Sequence, residues 1–139
     1  MEPNPRLVLS SFSMLLPTGA YLATNEYVSA AITGGCFVFS VLHHGTKPMY
    51  PEVLLADMVF ANLCVLAATR TTLQWLPWSM SPYLAFIGYG VAVYHYGYSH
   101  SILAWDPEPS VATAWHASLH WVHSSLAAFS ILMAGAVNG

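Results

Sequence analysis

Apolar residues run along this chain in long blocks, and the sparse charged ones fall between the blocks. Leu7 to Asn25, Tyr27 to Thr46, Met58 to Thr69 and Thr71 to Trp105 contain no Asp, Glu, Lys or Arg, and none occurs after Glu108. A helix crosses a bilayer with about 20 apolar residues. The blocks predict helices over 6–23, 27–45, 52–70, 81–104 and 111–137, separated by Asn25-Glu26, "GTKPMYPE", "TTLQWLPWSMSP" and "WDPEP". Each connector carries a proline or a helix-starting residue, which ends one span and begins the next. Short connections force neighbours antiparallel. The expectation is an all-α polytopic transmembrane bundle of about five helices, one domain over 1–139, in an integral, multi-pass membrane protein. The first block has Arg6 before it, contains Pro17 and Thr18, and is followed by no small-residue cleavage site, so it is read as the first helix.

Composition sharpens this picture. Of 139 residues, 56% are apolar and 6% charged, whereas soluble domains carry about 25% charged residues. The net charge is −3 with no cluster of Lys and Arg, which argues against a nucleic-acid partner. Cys36 and Cys64 fall inside spans without metal-binding or redox spacing and read as buried thiols. Trp75, Trp78 and Trp105 near the connectors suit interfacial anchoring. Arg6 and Lys47 on one side against Arg70 on the other give orientation only a slight bias.

Against this background the intramembrane polar groups stand out, because an ionisable residue at a helix centre costs about 2.5 to 3.5 kcal/mol on insertion scales. With five antiparallel spans, the second ends where the third and fifth begin. At a rise of about 1.5 Å per residue, Asp57 lies about 9 Å along its helix from Pro51, and His116 about 10 Å along from Pro109. The pattern therefore gathers Ser40, His43, His44, Asp57, His100, His116 and His120 into one layer, with His95 deeper. His116 and His120 project from one helix face, and His123 lies a turn further on the same stripe. Two imidazoles at i, i+4 form a metal-ligand pair that needs a third ligand, with a fourth position left for water. His44 is the best third ligand, with Asp57 near enough by layer to take a proton from the water. The doubled His43-His44 leaves the register of the third ligand open.

Ser40-Val-Leu-His-His44, "YPEVLLAD" ending in Asp57, and His116-x-x-x-His120 resemble the CREST superfamily of membrane hydrolases. That group includes the alkaline ceramidases, the progestin and adipoQ receptors and the Per1-type proteins. The likeness covers the second, third and fifth helices, about half the chain. Family members typically have seven spans, against five here. The resemblance implies that His44, His116 and His120 bind zinc and that Ser40 and Asp57 flank the reacting water. It also implies a lipid substrate with an amide or ester bond, ceramide being the best-known example. Asp57 would act as general base then acid, and Ser40 would orient the water or donate to the developing oxyanion.

Two other readings start from the same residues. Paired histidines on facing helices also ligate b-type haem, which needs no CxxCH. Alternatively the chain is a non-catalytic subunit of a larger membrane complex, with histidines as interhelical hydrogen-bond partners and small-residue faces such as Gly34-Gly35 and Ala127-Ala128 packed on neighbours.

Overall fold

The computed structural model describes residues 3–46, 50–74 and 80–138. Lys47, Trp75 and Trp78, which bear on orientation and anchoring, lie outside them. Among the described residues the fold is all-α, with no strand.

Helix α1 consists of Pro5–Ser11, a 3₁₀ turn over Phe12–Met14, and Leu15–Ala23. Its start is set by Asn4, whose side chain accepts from the backbone N–H groups of Arg6 and Leu7, with Pro5 in the first turn. The 3₁₀ turn precedes Pro17, which has no N–H to give to the carbonyl four residues back. The helix ends at Asn25, a left-handed residue at φ 60°. There Glu26 N–H bonds the Tyr21 carbonyl and Asn25 N–H the Leu22 carbonyl, the paired bonds of a Schellman motif. Helix α2 is Tyr27–Gly45, α3 is Pro51–Gln74 and α5 is Pro109–Asn138. Proline opens α3 and α5, where its missing N–H is an orphan in any case.

The fourth helix, α4, departs most from expectation. It runs as Met80–Gly90, a π-helical segment Val91–Tyr96, and Gly97–His100, stopping short of the predicted residue 104. A second Schellman motif ends it: Ile102 N–H bonds the Gly97 carbonyl and Ser101 N–H the Tyr98 carbonyl, with Ser101 left-handed at φ 54°. Gly97 is required there, since a Cβ would lie 2.7 Å from the Ile102 carbonyl oxygen. A short 3₁₀ turn over Leu103–Trp105 leads to α5.

Among the described residues, three helices are long and apolar enough to cross a membrane: Tyr27–Gly45, Pro51–Gln74 and Pro109–Ala136. Among the described residues, the buried side chains are polar as often as apolar, while the outside is largely apolar. Ser10, Ser11, Ser13 and Ser40 are buried at 2% exposure or less, whereas Leu9, Val28, Leu66 and Leu73 stand more than 60% exposed. In water that arrangement would leave the main apolar surface solvated; in lipid it is the favourable one. Hydroxyl pairs join the helices: Ser13 to Ser124, Thr18 to Thr33, and Tyr21 to Thr71. Such interhelical bonds each contribute about 0.6 kcal/mol in a membrane.

Helices α2 and α3 pack tightly at Gly35, where any Cβ would run into the Phe60 ring. The Cys36 and Cys64 thiols are neighbours across the same seam, both free. At the far end Arg70 pairs with Glu26 at 3.1 Å. That exposed pair adds little to stability.

Candidate metal centre

The last turn of α2, the second turn of α3 and the third and fourth turns of α5 meet at one end of the bundle. His44 and His120 are buried there, at 8% and 9% exposure. One ligand atom from each of His44, His116 and His120 lies within 4.8 Å of the others. The ring centroids form a near-regular triangle, with His44 5.1 Å from His116 and 5.6 Å from His120, and His116 5.1 Å from His120. With metal–nitrogen bonds of about 2.1 Å and an imidazole ring radius of about 1.1 Å, three ligands around a tetrahedral ion place their centroids about 5.2 Å apart. The three rings can therefore hold a metal ion.

A second group of the same compactness adjoins it. His43, His44 and Asp57 also offer ligand atoms within 4.8 Å of one another, so His44 belongs to both. His43 and Asp57 are half-buried. Asp57 is flanked along α3 by Leu54, Leu55 and Met58, all more than 40% exposed, so the carboxylate stands beside the apolar outer surface.

Helix α1 supplies what the spacing arguments missed. His120 Nδ1 lies 2.8 Å from Ser10 Oγ, and Ser10 donates its single proton to the Leu7 carbonyl at 2.9 Å. Ser10 must then accept from an Nδ1–H, which leaves the Nε2 lone pair of His120 free for a metal. Ser11 likewise donates to the Leu7 carbonyl at 2.8 Å, so the contact of 2.9 Å with Ser40 is a bond donated by Ser40. The Ser40 proton is thus engaged and its lone pairs remain. Backbone and side chain of Asn4 tie the same end together, through the His44 carbonyl at 2.9 Å and Thr113 Oγ1 at 2.9 Å. Replacing Ser10 with alanine should weaken metal binding by about 10- to 100-fold without unfolding the bundle, the usual effect of losing the partner that orients a ligating imidazole. Competition titration against a chelating dye measures it; wild-type affinity in Ser10→Ala would remove Ser10 from the centre.

Three of the histidines stand apart. His100 was expected in the layer, yet it is exposed, stacks on Tyr96 at 4.0 Å and bonds the Tyr96 carbonyl through Nδ1. His95 is exposed, edge-on to Tyr94. The π-helical segment contains His95 and ends four residues before His100, and both rings lie exposed on this part of α4. His123 lies in the α4–α5 seam against Phe86 at 4.3 Å, close to the backbone of Gly90. Its Nε2 is buried without a hydrogen-bond partner among the described residues. Trp105 meets Tyr94 and Tyr98 edge-on, an aromatic cluster of the kind found at membrane interfaces.

No family model, no curated protein and no solved structure matches this chain.

Proposed function

We propose that the chain is an integral, multi-pass membrane hydrolase that cleaves a lipid amide or ester bond, with zinc held by His44, His116 and His120. The observation that carries this reading is the triangle of three imidazoles at tetrahedral spacing, one of them oriented by Ser10. The likeness of Ser40, His44, Asp57, His116 and His120 to the CREST pattern supports it and points to ceramide-like substrates. The geometry favours a tetrahedral ion over haem: two histidines ligating one iron from opposite sides would have centroids about 6.4 Å apart, wider than any pair here.

His44, His116 and His120 would hold the ion, and zinc bound there would supply a water of lowered pKa, about 7, and polarisation of the scissile carbonyl. The surrounding residues divide the remaining work. Asp57 takes the proton of the attacking water and returns it to the leaving amine or alcohol, so that one water and one amide or ester become a fatty acid and the free base or alcohol. Ser40, with its proton held by Ser11, offers a lone pair, which suits orienting the water better than donating to an oxyanion. The leucines beside Asp57 would let an acyl chain approach from the bilayer.

Zinc-loaded protein in detergent should release fatty acid from ceramide, a lysolipid or a phospholipid. Activity should disappear on chelation and return with added zinc. Absence of release from every lipid by fully loaded protein would overturn the hydrolase reading.

A further inference from the structure

The reading of His44, His116 and His120 as a metal centre leaves His43 without a task, and Asp57 has no hydrogen bond or ion pair among the described residues. A carboxylate within a membrane helix calls for a cation. We propose that His43, His44 and Asp57 form an outer station that takes up a divalent cation and passes it to the deep set, His44 remaining a ligand throughout. The proposal rests on the deep set being a metal centre.

The juxtaposition supports both the station and the direction of transfer. Each set has its ligand atoms within 4.8 Å, and the sets share His44, so an exchange of two ligands moves the ion without releasing it. The rings of His43 and His44 lie 4.7 Å apart, and His44 lies 5.1 Å from His116, so the shared ring adjoins both sets. His43, Asp57 and His116 are half-buried, whereas His120 is buried, so the carboxylate set is the more open of the two. Asp57 carries the charge that attracts a cation, and three imidazoles in the less open set suit a borderline ion such as zinc or cobalt. The ion is therefore drawn in by one set and retained by the other. Transfer also frees Asp57 for proton transfer at the deep ion.

Cobalt(II) added to metal-free, full-length protein in detergent tests this through visible absorption, without any turnover. Wild-type protein should take up one tightly held equivalent. His43→Gln and His43→Ala should reach the same equivalent and the same final spectrum, but about tenfold more slowly or worse. The His116→Ala, His120→Ala double variant should bind cobalt weakly, with an altered spectrum and ready loss to a chelator, and adding His43→Gln should remove that residual binding. Uptake by both His43 variants at wild-type speed would overturn the proposal. So would two equivalents in wild-type protein, which would mean co-occupied sites, or a double variant with no residual binding. Wild-type protein that binds no cobalt would bring down the metal-centre reading itself.

Discussion

Replacing His116 and His120 together with alanine should abolish the metal that survives dialysis against a mild chelator, while the helical bundle stays assembled. Two of three converging imidazoles are lost, and His44 alone cannot hold an ion tightly. The folding cost is modest. Truncating His120 removes its bond to Ser10, worth about 1 kcal/mol, and leaves Ser10 still bonded to the Leu7 carbonyl. The same helices remain joined by Asn4 to Thr113 and by Ser13 to Ser124. Elemental mass spectrometry of both proteins, beside far-ultraviolet circular dichroism, separates the two effects. Near-stoichiometric metal in wild type and almost none in a variant of unchanged helicity is the expected result. Equal metal in both would show that these histidines are packing residues, and iron in place of zinc would favour haem.

The site was legible where regular helices carry it. His116 and His120 share a face because they are four apart, and short antiparallel connections bring α2, α3 and α5 to one end at equal depth, so spacing brought Asp57 and the His43-His44 pair to the same layer, with the choice between the two histidines left open. Reasoning failed where the backbone departs from a uniform helix. Serine, not glycine, occupies the left-handed position after His100, so nothing in the composition announced that α4 ends there. The π-helical segment is equally silent in sequence, and His100, which depth along the helix assigned to the layer, lies exposed just beyond it. Ser10 and Ser11 escaped notice for another reason. Hydroxyls in membrane helices commonly bond their own helix's carbonyls, and both do bond the Leu7 carbonyl. Their second contacts, to His120 and Ser40, depend on how α1 docks, which no single-helix pattern encodes.

Asp57→Asn should retain the deep metal and lose most turnover. Asparagine keeps the size of the side chain and its hydrogen-bonding capacity, and Asp57 is outside the three-histidine set, so given long incubation the variant should load one equivalent. What it cannot do is accept a proton. Loss of a positioned general base lowers rate by about 10²- to 10⁴-fold. The fall should appear in kcat, because the substituted amide leaves intact the lipid-facing surface formed by Leu54, Leu55 and Met58. Asp57→Glu, which restores the carboxylate one methylene further out, should recover part of the rate. Comparing kcat and metal content across the three proteins distinguishes chemistry from loading: a metal-replete Asp57→Asn protein with wild-type kcat would transfer the base to another group, and His43, the remaining proton acceptor of the outer set, would be the next residue to replace.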